Sequence, residues 1–227
     1  MDEEIMREIS PGQVFFDYGP VSMVVSAIRK GTGDTELCRS AFGIIDGCLR
    51  ELRPALEILR SYPGRVNPDE LRGLPEVMAR AVIATGYAWL TPMAAVAGSI
   101  ADAVADYLVD RGAEKVAANN GGDIAIRLAA GQSLNLGVVY DLSIGTVNRT
   151  VRLTGESGIG GVATSGLGGR SLTTGIASGV TVFSRRCARA DALATLLADR
   201  SYIDSPAVHT VLAAELDPDS DIADQQV

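Results

Sequence analysis

Six short apolar segments follow one another closely in the second half of the chain, and they constrain its fold more than any other feature. They lie between Lys115 and Phe183 and read KVAA, IAIRL, LGVVY, TVRL, GVAT and VTVF. Short runs of this kind, rich in β-branched residues, are typical of strands. Because the helical patterns lie elsewhere and do not alternate strictly with these strands, the sequence predicts an α+β fold with an antiparallel sheet. We expect one domain over residues 1–227, with a polar tail from 215 to 227 that is frayed near its end.

The first half of the chain predicts two strands followed by helices. Residues 13–29 contain two extended pieces around the turn signal Gly19-Pro20. Apolar residues at three- and four-residue steps predict one helix over 35–53, ended by Pro54, and another over about 75–84.

The clearest helix pattern follows these segments. Thr91 is its predicted N-cap, Pro92 occupies the first helical position and Gly112 is its stop. One face of the helix carries minimal side chains, which would let another backbone approach closely. Either a neighbouring helix or sheet, or a ligand at the helix N-terminus, would explain this face. Its residues are Ala94, Ala97, Gly98 and Ala101.

Composition excludes several classes of function. The formal net charge is -8 and the isoelectric point is near 4.7, so the chain lacks the basic surface that a nucleic-acid partner requires. An anionic membrane surface is disfavoured for the same reason. The sequence shows no uninterrupted apolar run of membrane-spanning length and no apolar segment typical of a secretion signal, so we expect a cytoplasmic protein.

Cysteine and histidine usage argues against a zinc site. Cys38, Cys48 and Cys187 are too scattered for a disulfide framework or a zinc knuckle, and we interpret them as buried free thiols. The single histidine, His209, is isolated, so a histidine-based catalytic triad is not expected.

The segment from Gly158 to Leu197 is the strongest candidate for a functional site. A loop rich in glycine, serine and threonine is followed by a short strand and then by a helical pattern, ARADALATLLADR. Asp191 and Thr195 stand four residues apart in this pattern, so both side chains project from one face of the helix. Oxygen ligands beside a glycine-rich backbone suit a magnesium ion that holds phosphates. The alternative is a solvated aspartate and a hydroxyl at the edge of the core.

A second candidate is the segment Asn119-Asn120-Gly121-Gly122-Asp123. It needs no function to explain it, because asparagine and glycine tolerate positive φ in turns. Its functional interpretation is a backbone cradle for a polar ring or a phosphate, with Asp123 as an acceptor.

Taken in order, these motifs resemble a known family. TPMAAVAGSIADAVADYL, NNGGDIAI, GVATSGLGGRSL, GVTVF and ADALAT look like the ApbE-like superfamily, and more closely its short uncharacterised UPF0280 branch. The resemblance covers roughly residues 14 to 200. It implies a T-fold-like α+β architecture. The best-known members of the superfamily are magnesium-dependent enzymes that split FAD and attach FMN to a Thr or Ser of a partner protein.

The resemblance also implies roles for particular residues. Asp191 and Thr195 match the family's metal-binding pair, and a backbone carbonyl near Val96 is expected to complete the metal site. The remaining expected cofactor-binding residues come from the helix start, the GGD turn and the TSG loop: Thr91, Asn120, Gly121, Gly122, Asp123, Thr164, Ser165 and Gly166.

Two departures separate this chain from the flavin transferases. It has Ala97 where they carry a lysine, and Arg170 where the short branch usually shows histidine. Arg170 can still clamp a phosphate bidentately and is the candidate catalytic residue, but it cannot accept a proton near neutral pH.

These motifs support two hypotheses of different classes. The first is an enzyme that acts on FAD with Mg²⁺ and has an acceptor protein as its partner. The second is a binding module that keeps FAD, FMN or a pterin-like ring unchanged. An enzyme acting on another heterocyclic small molecule is a further alternative. Exposed sheet edges are compatible with a homodimer, and neither nucleic acid nor membrane is an expected partner.

Overall fold

The strands follow the order predicted from the sequence. The computed structural model describes residues 5–138, 149–168, 172–218, 220 and 222–227. Ten strands lie in these ranges: β1 (Met6–Ser10), β2 (Gln13–Tyr18), β3 (Val21–Arg29), β4 (Thr32–Gly33), β5 (Lys115–Asn120), β6 (Asp123–Leu128), β7 (Ser133–Val138), β8 (Arg149–Thr154), β9 (Gly161–Ser165) and β10 (Val180–Ser184).

Seven helices accompany the strands in the same described ranges. They are α1 (Thr35–Ser40), α2 (Phe42–Leu52), α3 (Leu56–Leu59), α4 (Leu74–Ile83), α5 (Val96–Asp110), α6 (Cys187–Asp199) and α7 (Ala213–Leu216). The prediction of a single helix over 35–53 was wrong in one respect. The chain forms two helices there, and Ala41 is both the C-cap of α1 and the N-cap of α2.

Every strand pairing in the described structure is antiparallel, which confirms the α+β class. The main sheet has the order β1-β2-β3-β5-β6-β9-β10, with β4 added beside β3, and β7 and β8 form a separate hairpin. The edge strands of the main sheet are β1 and β10. The homodimer that exposed sheet edges suggested stays a prediction.

The core lies between the central strands and the helices. Alternate residues of β3 are buried, as expected for a strand with one face against helices. Helix α5 packs on β5, β6 and α6, whereas α6 packs on β9 and β10 through Ala163, Ala190 and Ala194. All three cysteines are buried free thiols, as predicted, and burial raises the pKa of both Cys38 and Cys48 to about 11.

The start of α5 differs from the prediction in detail. Thr91 is the N-cap of a 3-10 turn over Pro92–Ala95, and the α-helix itself begins at Val96. The helix ends at Asp110, and Gly112 just beyond it has a φ of 89°, in agreement with the predicted stop.

The C-terminal segment is not frayed as predicted. The backbone groups of Val211 and Val227 hydrogen-bond to each other in both directions, and the Ala213 N–H donates to the Gln225 carbonyl. The end of the chain therefore folds back on residues 211–214.

One helical stretch among the described residues, 92–110, has the length and composition that could cross a membrane. Its most apolar window is 56% buried inside the protein. The central helix of a globular core meets the same criteria, so this finding is weak support for a membrane span.

A buried carboxylate fixes the N-terminal end of α6. Asp102 of α5 is 1% exposed and accepts a hydrogen bond of 3.0 Å from the Ala188 N–H in the first turn of α6. It also accepts from the Arg127 guanidinium at 2.7 Å and lies 3.3 Å from Arg186 Nε. The Arg186 side chain makes no capping hydrogen bond at this end, so Asp102 supplies the acceptor that a helix start needs.

Gly98 lets α5 and α6 approach each other closely. A Cβ atom built on Gly98 would lie 2.6 Å from the Cys187 carbonyl oxygen and 2.9 Å from the Asp191 Cβ. The small face predicted on this helix therefore accommodates a neighbouring helix at Gly98.

The substitution Gly98→Ala should destabilise the protein by about 1 to 3 kcal/mol, because the added methyl group must displace backbone. Denaturant unfolding measures this change. Gly47→Ala in α2 is the matched control, since nothing lies within 4 Å of a Cβ at that position. We expect the control to be neutral or more stable by up to about 1 kcal/mol. Equal stability of Gly98→Ala and the wild type would contradict the proposed close contact.

Candidate functional site

The structure brings Asp191 and Thr195 to the same cleft. Both lie on α6, one helical turn apart, and they line a cleft of about 350 Å³. Asp123, Ser165 and Val96 line it as well, although they come from β6, β9 and the start of α5. Residues that are distant in the sequence therefore meet beside Asp191 and Thr195.

Asp191 is held by the backbone of α5. Its Oδ2 accepts a hydrogen bond of 2.8 Å from the Gly98 N–H. Burial raises the pKa of Asp191 well above its ordinary value, and the charge of Asp123 raises this pKa further. The hydrogen bond from Gly98 acts in the opposite direction, because it favours the ionised carboxylate.

Asp123 is the second half-buried carboxyl group of the cleft. Burial raises its pKa to about 7, and a hydrogen bond from the Thr164 N–H partly offsets this effect. The Asp123 charge in turn acts on Asp191, so the two carboxyl groups lie close enough to repel each other when both are ionised.

The donor set of the cleft suits a hard divalent cation. Two carboxyl groups and the half-buried Thr195 hydroxyl offer oxygen ligands, and a cation between the carboxylates would relieve their repulsion. The described residues contain no cluster of three or more His, Cys, Asp or Glu side chains arranged to hold a metal ion. Such a site would therefore need water or ligand oxygens, as magnesium sites usually do.

The GGD segment is a tight turn built by its own residues. Gly121 and Gly122 have φ values of 68° and 115° and form the two-residue connection between β5 and β6, where positive φ at both positions is required. Asn119 Oδ1 accepts from the Gly122 N–H at 2.9 Å. The turn therefore needs no ligand to hold its shape, and it places Asp123 at the cleft.

Asn120 connects this turn to the start of α5. Its side chain is buried, and Nδ2 donates to the Ala97 carbonyl at 3.2 Å. The Ala97 carbonyl therefore already accepts a hydrogen bond. Val96, the residue whose carbonyl was expected to complete the metal site, precedes Ala97 in the chain and lines the cleft.

The TSG loop contributes its backbone and Ser165 to the site. The Thr164 side chain is exposed and its Oγ1 lies 2.8 Å from Thr181 Oγ1 on the next strand. Ser165 lines the cleft, and Gly166 has a φ of 136° close to the Ala177 carbonyl. Arg170, the candidate catalytic residue, lies outside the described residues.

A second, larger cavity adjoins the cleft. It has a volume of about 640 Å³ and is mostly apolar, with side chains from β3, α2 and α5. Met93, Val96, Ala97 and Asp123 line both spaces, so one wall is common to the two. Asn120 and Gly121 lie on the side of the larger cavity.

Several residues of the cleft were not predicted from the sequence. Buried Thr91 was expected there, but Trp89 and Arg60 beside it were not. Asp199, at the end of α6, also lines the cleft and accepts from Thr173 Oγ1 at 2.9 Å and from the Thr174 N–H at 3.0 Å. The sequence signal that could have identified Asp199 is its position four residues after Thr195, on the same face of α6. The C-terminal segment adds Asp217, Ser220, Ile222 and Gln225.

A family model described as "AbpE bacteria" matches residues 6–227, which is almost the whole chain. The chain belongs to this family. The resemblance to the ApbE-like superfamily and its UPF0280 branch is thereby confirmed.

Curated relatives agree with this assignment. A UPF0280 protein of Methanobrevibacter smithii is 35% identical over 60% of this chain and 56% of its own length. One of Methanothrix thermoacetophila is 39% identical over 54% of this chain and 51% of its own. The chain therefore spans about half the length of the curated relatives that it matches.

Solved structures of flavin transferases also align with the protein. The flavin transferase ApbE from Vibrio cholerae aligns with a TM-score of 0.41 and 15% identity, over 81% of this chain and 84% of that one. The apo form of the Pseudomonas stutzeri flavinyl transferase ApbE aligns with a TM-score of 0.37 and 15% identity, over 78% and 79% of the two chains.

The substitution Asp123→Asn should stabilise the metal-free protein at pH 8 by about 1 to 3 kcal/mol. The native carboxyl keeps its proton from pH 3.8 up to about 7, whereas the unfolded chain loses it near pH 3.8. Stability therefore falls as pH rises through this window, and a neutral amide avoids the loss. Urea unfolding at pH 8 and at pH 4 measures the effect, which should shrink at pH 4.

Asp204→Asn removes one charge at an exposed position and is the control for this experiment. We expect it to change stability by less than about 0.5 kcal/mol. If Asp123→Asn were no more stable than this control at pH 8, the ionised Asp123 carboxylate would not destabilise the folded protein as predicted.

Proposed function

We propose that this protein binds Mg²⁺ and the flavin nucleotide FAD in the cleft and the adjoining cavity, and that it transfers the FMN portion to a hydroxyl group. The observation that carries the proposal is the convergence of Asp123, Asp191 and Thr195 on one cleft beside an apolar cavity. This arrangement provides charged oxygen ligands for a metal and phosphates next to an apolar space for a ring.

Asp191, Thr195 and a carbonyl near Val96 would hold the metal ion. The Gly98 N–H occupies one lone pair of Asp191 Oδ2 and fixes the orientation of the carboxylate, which leaves Oδ1 available as a ligand. When bound, the ion would polarise the pyrophosphate and neutralise charge on the leaving group. Asp123 adds negative charge beside the ion and strengthens its binding.

The choice of flavin follows from the family resemblance, and the cavity is compatible with it. A volume of about 640 Å³ lies within the range of small-molecule sites. Its apolar lining suits the faces of a planar heterocycle, and Asn120 and Asp123 offer polar groups at its edge. The GGD turn brings peptide groups without side chains close to the same ring.

The proposed reaction needs an acceptor that carries a hydroxyl group, such as a Thr or Ser of a partner protein. The hydroxyl oxygen forms a new bond to the FMN phosphorus, and the bond from this phosphorus to the AMP oxygen breaks. AMP leaves, and the hydroxyl proton passes to solvent or to a base. The residues of the cleft would position the phosphates, and positioning is the main contribution of a protein to phosphoryl transfer.

A second candidate function is a binding module that holds FAD, FMN or a pterin-like ring without chemistry. Ala97 favours it, because this position lacks the cation that the flavin transferases carry. Arg170 also favours it, since arginine cannot accept a proton near neutral pH. The two candidates share the metal and the cavity and differ only in whether AMP is released.

Asp191→Asn should weaken Mg²⁺-dependent FAD binding at least about tenfold, because metal ligation requires a charged oxygen at this position. Isothermal titration of FAD, with and without Mg²⁺, measures the loss. Asp204→Asn removes a charge outside the cleft and should bind FAD like the wild type. FAD binding that is independent of both Mg²⁺ and Asp191 would contradict the proposed metal site.

The wild-type protein should release AMP from FAD when Mg²⁺ and a Thr- or Ser-containing acceptor are both present. Chromatographic detection of AMP, together with the mass of the acceptor, tests this prediction. If the protein binds FAD and returns it unchanged with every acceptor offered, the binding module replaces the transferase.

A further inference from the structure

The only tryptophan of the chain is also the most exposed large apolar side chain among the residues that the structure describes. Trp89 is 67% exposed, and its ring makes a T-shaped contact with that of Tyr62, with ring centroids 5.3 Å apart and an interplanar angle of 75°. We call Tyr62 and Trp89 the aromatic pair. Burial of an indole is strongly favourable, so this exposed surface is well suited to cover a ligand ring.

Trp89 of the aromatic pair belongs to the acidic cleft and not to the apolar cavity, whereas Tyr62 contacts Trp89 without lining the cleft itself. Trp89 lines the cleft together with Asp123, Asp191 and Thr195, and it is absent from the lining of the larger space. A ring stacked on Trp89 would therefore lie beside the proposed phosphate site, on a different surface from the ring in the apolar cavity.

The charge distribution of the cleft indicates the chemistry of this ligand. Arg60 is exposed and supplies the sole basic side chain among the described residues that line the cleft. Four aspartates line it as well, and a bound Mg²⁺ would offset part of their charge: Asp123, Asp191, Asp199 and Asp217. A guanidinium group binds phosphate oxygens well, and indole faces stack on nucleobases. An aromatic face and a cation in one concave site fit a purine nucleotide better than they fit a protein segment.

We propose that Trp89 stacks the purine base of the bound dinucleotide, with Tyr62 supporting the indole and Arg60 facing its phosphate. This inference rests on the proposed function, because FAD has two ring systems and the apolar cavity accounts for only one. Trp89 is then a specificity-determining residue that distinguishes FAD from FMN, since FMN carries no purine.

The test uses the full chain with Mg²⁺ and three probes: FAD, FMN and AMP. Fluorescence of the wild-type protein reports Trp89 alone, so FAD and AMP should both quench it. Calorimetry then compares the variants. Trp89→Ala should weaken FAD binding about tenfold to hundredfold and leave FMN binding within about twofold. Trp89→Phe keeps a stacking face and should retain most of the FAD affinity.

Tyr202→Ala is the control, because Tyr202 is an exposed aromatic residue that does not line the cleft. The inference is overturned if Trp89→Ala leaves FAD binding intact or if it weakens the binding of FAD and FMN equally. Failure of the proposed function gives a different pattern. In that case AMP quenches the wild-type fluorescence while FMN does not bind at all.

Discussion

The contact between α5 and α6 at Gly98 is the constraint on which the site depends. Because Gly98 has no side chain, the backbone of α6 passes close to it, and the Gly98 N–H reaches Asp191. Asp102, one turn further along α5, binds the first turn of α6 through the Ala188 N–H. These two contacts fix both the position and the rotation of α6. They therefore determine that Asp191 and Thr195 face the cleft instead of solvent.

The two carboxyl groups of the cleft repel each other when both are ionised, and a bound cation would reduce this repulsion. Asp123 and Asp191 lie together in the partly buried cleft. Burial raises the pKa of both carboxyl groups, and the charge of Asp123 raises the pKa of Asp191 further. In the same protein, the buried Asp102 carboxylate lies between Arg127 and Arg186, so its charge is compensated within the fold. Uncompensated buried carboxyl groups reduce stability, and such local costs are typical of functional sites.

Much of the fold and part of the site could be predicted from the sequence, because the signals are local. Alternation in β3, the turn at Gly121 and Gly122, and the spacing of Asp191 and Thr195 each depend on neighbours along the chain. The unpredicted features depend on distant partners. The approach of Asp123 to Asp191, the return of the C-terminal segment and the position of Trp89 are set by packing between elements that no local pattern connects.

The most direct test of the account is to locate the cation. Mn²⁺ can replace Mg²⁺ at oxygen sites and is visible by anomalous scattering, so crystals grown with Mn²⁺ and FAD would show it. We expect one strong peak at coordination distance from the Asp191 carboxylate and the Thr195 hydroxyl, in contact with the FAD phosphates. A peak elsewhere, or FAD bound in the cleft with no metal at Asp191, would contradict it.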